Sequence, residues 1–199
     1  MPRIQTLISD ALDVVFNQHG EREKRFPFLV NTHMQIDYSV CIMVARLDDV
    51  FDVLQGDIDA LSAKPLRTLP VDYYLDSQNL IIEIDELQHF TPMRHASLSC
   101  YASSPHIGFN MDEYKELSQE LGEPALFRGA FGYRKPTHEF NFPNGRCSQR
   151  AYFDAMKDVL PVVNGIRPTI RIPVPALRCN IFNHDELVLE LKERLATFI

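Results

Sequence analysis

The stretch Leu80-Ile81-Ile82-Glu83-Ile84-Asp85-Glu86-Leu87-Gln88-His89-Phe90 carries two carboxylates at alternate positions of an apolar run that ends in Gln-His. Alternate spacing turns both acids to one face of a strand, and burying them there is costly without a partner. Asp72, in Pro70-Val71-Asp72-Tyr73-Tyr74, lies eight residues before the run. The intervening Asp76-Ser77-Gln78-Asn79 has turn composition, so the two segments read as a hairpin. Asp72, Glu83, Asp85 and His89 then meet at one point.

Carboxylates crowded in this way either take up a proton or are neutralised by a divalent cation. Oxygen donors from Asp72 and Glu83, with the carbonyl of Ile84 as a third, suit Mg²⁺ or Mn²⁺ better than zinc. Such an ion polarises a phosphate and activates a water for in-line attack.

These residues resemble the core signature of the PD-(D/E)XK nuclease superfamily, an Asp followed by a strand bearing Glu-x-(Lys or another polar residue). The form Glu-x-Asp-x-x-Gln-His-Phe is similar to the branch akin to very-short-patch-repair and phage or homing-type endonucleases. Downstream, Asp154-Ala155-Met156-Lys157, Gly165-Ile166 and Thr169-Ile170-Arg171-Ile172-Pro173 resemble that branch's closing helix and strand. The resemblance covers roughly residues 68 to 199, with the segments in the family's order. It implies an α/β, restriction-endonuclease-like fold with a central mixed sheet, and a metal-dependent endonuclease that hydrolyses nucleic-acid phosphodiester bonds, DNA above RNA. The catalytic residues it implies are Asp72, Glu83, Asp85, His89 and Lys157, with Asp72, Glu83 and Ile84 holding Mg²⁺ or Mn²⁺. Asp85 stands where many relatives carry lysine, and Lys157 or His89 would supply the missing function. A catalytically inactive nuclease-fold module, binding nucleic acid or a protein partner in a phage or defence assembly, is the alternative.

The chain of 199 residues, 45% of them hydrophobic, suits one well-buried domain over residues 1–199. Cys41, Cys100, Cys147 and Cys179 form no Cys-x-x-Cys pair and have no histidines at zinc spacing, which fits reduced thiols. With no secretory pattern and no apolar run of membrane length, a cytoplasmic, soluble protein with no membrane partner is expected. The net charge of −7 weighs against nucleic acid as a partner. Its distribution weakens that objection, because residues 1–124 hold 9 basic and 20 acidic side chains whereas residues 125–199 hold 11 and 7. Of the basic residues in the last third, Arg134, Lys135, Arg146 and Arg150 are the candidates for phosphate contact, against a plain solvated surface.

The elements that must position these groups follow from periodicity. Ile4, Leu7, Ile8, Ala11, Leu12 and Val15 recur at helical spacing before Gly20. Asp10, Asp13 or Glu21 on that helix could add an acid to the site, although a solvated face explains them more simply. Residues 23–30 suggest a strand placed at an edge or bent by Pro27. The spacing of Val44, Leu47, Val50, Phe51, Leu54, Ile58 and Leu61 predicts a helical insertion at 32–66, broken at Gly56. Its acids Asp48, Asp49, Asp52, Asp57 and Asp59 read as a solvated face, or as a surface that repels DNA or docks a protein partner; a homodimer contact through the insertion is a further possibility.

Asn110, with Glu113 behind it, should cap a helix to Leu121. Residues 126–142 alternate aromatic and basic side chains, as base stacking or a packed hairpin would require. Ser148 should cap a helix from Gln149 to Leu160, ended by Pro161, on which Arg150, Asp154 and Lys157 share one face. A strand over 169–174 and a helix capped by Asn183 complete an α/β sandwich with helices on both sheet faces.

Overall fold

A computed structural model of the chain describes residues 3–35, 42–101, 107–128 and 135–198. Its single described sheet has the order β1-β2-β3-β4. β1 (Glu21–Val30), β2 (Thr68–Leu75) and β3 (Leu80–Asp85) form an antiparallel meander, and β4 (Ile170–Pro173) adds parallel to β3. The chain is thus α/β with a mixed sheet, as its patterning required. β1 is an edge strand, and its register slips between Arg25 and Val30, around Pro27. A proline has no N–H for a ladder, so the edge is where it does least harm.

α1 (Ile4–Val15) and α8 (His184–Arg194) cover one face of the sheet; Ile8, Ala11, Leu12, Leu187 and Leu191 pack there on Leu80, Ile82, Ile84, Ile170 and Ile172. The core on the opposite face is built with α2 (Ile42–Val53), α3 (Ile58–Ser62), α4 (Pro92–Tyr101), α5 (Met111–Glu120) and α7 (Gly145–Val163), while α6 (Gly122–Arg128) packs on α5 and the turn at 87–89. The central β3 is buried along its whole length. Its even positions serve the α1–α8 core, so Ile81, Glu83 and Asp85 turn toward α7. Each buried Leu or Ile here is worth ~1.5–3 kcal/mol, and that apolar surround offsets the cost of two acids in a central strand.

α2 and α3 lie between β1 and β2, within the stretch 32–66; residues 36–41, Cys41 among them, lie outside the described part. Cys100, Cys147 and Cys179 are in no disulfide. Within the insertion Asp57 caps α3 by accepting from the Ala60 N–H at 3.0 Å. Asp48 Oδ1 lies 2.8 Å from Nε2 of the buried His33. Two of the five acids are therefore structural. Asn110 and Asn183 cap α5 and α8 as predicted.

α7 departs from expectation at both ends. It begins at Gly145, not Gln149, behind Asn144 in the left-handed conformation at φ 68°. A Cβ at Gly145 would sit 1.9 Å from the Phe140 carbonyl oxygen, so only glycine lets this close approach start the helix. Pro161 lies inside the last turn rather than ending the helix. The stretch 135–142 is irregular rather than a hairpin, and Phe140 enters the core against Phe51 at 5.2 Å between ring centroids.

Candidate functional site

Asp72 sits where the sheet loses its regularity. The ladder between β2 and β3 runs Leu75↔Leu80, Tyr74↔Ile81, Tyr73↔Ile82 and then stops. Beyond that point side chains take over from backbone: Asp72 Oδ2 accepts from the Ile84 N–H at 2.8 Å, and Glu83 Oε1 accepts from the Asp72 N–H at 3.2 Å. On the other side, the register places Glu23 opposite Asp72, and Glu23 takes φ 52°. Leu69 and Val71 pack into the α7-side core whereas Tyr73 and Leu75 pack into the α1–α8 core, so β2 rolls over at Asp72. This splay opens the sheet at the two carboxylates.

α7 supplies the rest of the site. Arg150, Asp154 and Lys157 follow at four and three residues, which stacks them along one face. Lys157 Nζ donates to Glu83 Oε2 at 2.6 Å. Burial pushes the Glu83 pKa up to about 8, with Lys157 opposing and Asp72 adding to the rise. Lys157 goes up as well: burial works against its ammonium, but Glu83 and Asp72 more than make good that loss. Pro161 removes the N–H that would have bonded the Lys157 carbonyl; the Thr169 hydroxyl donates to that carbonyl instead, at 2.7 Å.

His89 follows β3 in a short turn and meets α7 side chains at both ring nitrogens. Nε2 lies 2.6 Å from Arg150, a group that can only donate, so Nε2 is the acceptor and Nδ1 bears the proton. Nδ1 points between Asp154 at 3.0 Å and Asp85 at 3.1 Å.

Asp85 itself does not reach the opening. It is fully buried, takes Arg171 Nη1 at 2.9 and 2.8 Å on its two oxygens, and accepts from the Tyr114 hydroxyl at 2.8 Å. Burial raises its pKa, but Arg171 and His89 prevail and hold it below the ordinary value. Asp154 is drawn lower still by His89 and Arg171 against the same burial. The network runs on inward. Arg171 Nε donates to Asp158 at 2.6 Å, and Arg94, only 1% exposed, donates to Asp158 at 2.8 Å and to the Tyr101 hydroxyl at 2.7 Å.

Asp72, Glu83, Ile84, His89 and Lys157 line one cleft of about 830 Å³, together with Arg150 and with Arg3 and Gln5 from the start of the chain. Four of the five predicted catalytic side chains therefore converge, and Asp85 lies behind them. Gln5 was not foreseen: its side-chain amide donates to Asp72 Oδ1 at 2.5 Å. The acids named on or after α1 go elsewhere, Asp10 and Asp13 to Arg22 and Glu21 to Lys24. A polar residue at the second position of an amphipathic helix was the available signal for Gln5. Arg146 and Arg150 border a recess continuous with the cleft, and the Arg146 N–H bonds the carbonyl of exposed Lys135 at 2.9 Å. Arg134 lies outside the described residues.

Two groups offer metal ligands. Asp72 and Glu83 line the cleft as an all-oxygen pair, with the Lys157 ammonium on Glu83, a donor set that fits a hard divalent cation. Asp85, His89 and Asp154 also place ligand atoms within 4.8 Å of one another and could hold a metal. Their atoms already bond each other and Arg171, so an ion there would have to displace the His89 proton and compete with a guanidinium. No helix among the described residues is long and apolar enough to cross a membrane. No protein-family model, curated protein or solved structure matches the chain.

Proposed function

We propose that the protein is a metal-dependent nuclease of the PD-(D/E)XK type that hydrolyses DNA phosphodiester bonds. The observation that carries this reading is the convergence of Asp72, Glu83 and Lys157 where β2 and β3 part, at the floor of an open cleft. A Mg²⁺ or Mn²⁺ ion bound by Asp72, Glu83 and the Ile84 carbonyl would polarise the phosphate and lower the pKa of a water. The protein's own groups do the rest. Lys157, reaching Glu83 from α7, puts a cation where relatives use a strand lysine, close to the charge that develops on the phosphate. His89 is held with Nε2 toward Arg150 on the cleft wall, and Asp85 acts as part of its support rather than as a ligand. Arg150 and Arg146 border the opening, with the Lys135 carbonyl bonded to the Arg146 N–H, and these cations would meet neighbouring phosphates.

The direct experiment incubates purified protein with labelled DNA and Mg²⁺ or Mn²⁺, beside Glu83→Gln. Cleavage that needs the metal and disappears in the variant is expected; no cleavage of DNA with either ion would overturn the enzyme reading. A binding module is the second reading, favoured by the fact that Lys157, Gln5 and two backbone N–H groups already occupy the carboxylate oxygens. It requires DNA affinity that Glu83→Gln leaves unchanged.

A further inference from the structure

The face of α7 that carries Arg150 and Lys157 also carries an aromatic side chain that no catalytic role uses. Arg146, Arg150, Phe153 and Lys157 follow one another at four, three and four residues, so an aromatic ring is set between cations along one helical stripe. Phe153, together with Leu69 and Pro70 on β2, forms the apolar wall of a recess of about 150 Å³. Asp72, His89, Arg150 and Lys157 border both the recess and the main cleft, so one opens into the other. Pro70 stands only two residues from Asp72. The ring also meets Tyr152, at 5.7 Å between centroids, and Lys64 Nζ, 5.5 Å from its centroid; neither residue lines the recess.

We propose that this recess receives one unpaired base of the substrate, which makes the preferred substrate single-stranded DNA, or DNA with an unpaired nucleotide beside the cleaved phosphate. The inference rests on reading the cleft as a phosphodiester site. A flat apolar wall within a nucleotide's reach of a phosphate site, flanked by arginines, suits a base that stacks while its own phosphates meet the guanidiniums. A base inside a duplex cannot enter, because it is stacked and turned toward the helix axis and must first leave the stack. Unpaired DNA meets no such barrier.

The test uses the full chain and measures affinity by fluorescence anisotropy without divalent metal, so it does not depend on catalysis. The probes are an oligothymidylate, a base-free deoxyribose-phosphate chain of equal length, and a duplex of equal length. The oligothymidylate should bind about tenfold more tightly than the base-free chain, and the duplex should bind more weakly than the oligothymidylate. Phe153→Leu should abolish the preference for bases while leaving base-free binding unchanged, which also reports an intact fold; Phe153→Tyr should keep it. Equal binding of the two single-stranded probes, tighter binding of the duplex, or an unchanged preference in Phe153→Leu would sink the proposal. If base-dependent binding behaves as expected and no DNA is cut with Mg²⁺ or Mn²⁺, only the catalytic reading fails. If metal-dependent cleavage occurs without a base preference, only the recess assignment fails.

Discussion

Lys157 Nζ lies 2.6 Å from Glu83 Oε2 across 74 residues of chain, inside a site where Glu83 is fully buried and Lys157 nearly so. Removing the ammonium leaves a carboxyl group that can take up a proton, so the fold should survive. Lys157→Met is expected to lower metal-dependent cleavage on the order of 10²–10³-fold. Steady-state assays compared with circular dichroism of the same preparation check this.

Glu83 also sets a pH dependence. Its folded pKa of about 8 stands above the ordinary glutamate value of 4.5. Between these limits the folded state holds a proton that the unfolded state has released, so this contribution to stability is fully present at low pH and is lost as pH rises through 8. Glu83→Gln should flatten that decline, by on the order of a few kcal/mol at its alkaline end. Urea titrations across the pH range would show it; a parallel decline in the variant would refute it.

A divalent ion that binds Glu83 must compete with the same proton. Mn²⁺ should therefore raise the melting temperature more at alkaline pH than at mildly acidic pH, and Glu83→Gln should lose most of the effect. An equal shift at both pH values would locate the ion elsewhere, the Asp85, His89 and Asp154 group being the first place to look.

Asp85→Lys would place lysine at the strand position where the PD-(D/E)XK signature carries it, yet here it should unfold the protein. The new ammonium would face the Arg171 guanidinium that now bonds both Asp85 oxygens, with no solvent on either side. Breaking a buried pair costs ~3–5 kcal/mol even without like charge. Thermal denaturation, or loss of soluble expression, is the measurement.

The Lys157 carbonyl gives a fifth handle. Thr169→Val should cost ~1–3 kcal/mol, because it removes the donor that replaces the missing Pro161 N–H. In a Pro161→Ala background the restored N–H can reach the same carbonyl, so the Thr169→Val penalty should shrink. A double-mutant cycle of unfolding free energies measures the coupling.

Much of this site was legible locally. Period-two and period-three-to-four patterning is near-neighbour physics, and it located the β2–β3 hairpin, the insertion and the common face of Arg150, Asp154 and Lys157. The caps at Asn110 and Asn183 were visible for the same reason. The start of α7 was not, because Gly145 begins the helix only through its close approach to Phe140, a contact made in the folded molecule.

The sequence by itself determined that Asp72, Glu83 and Asp85 would be brought together on two adjoining strands, since strand alternation and a short turn leave few other arrangements. Only the tertiary structure decided their separate fates. Glu83 faces the cleft and meets Lys157, whereas Asp85, two residues on and on the same strand face, meets Arg171 across 86 residues of chain. Alternation sets which way a side chain points, but its charge partner depends on the strand and helix packed over it. Here β4, joined in parallel beside β3, carries Arg171 to Asp85 and closes it off from the cleft.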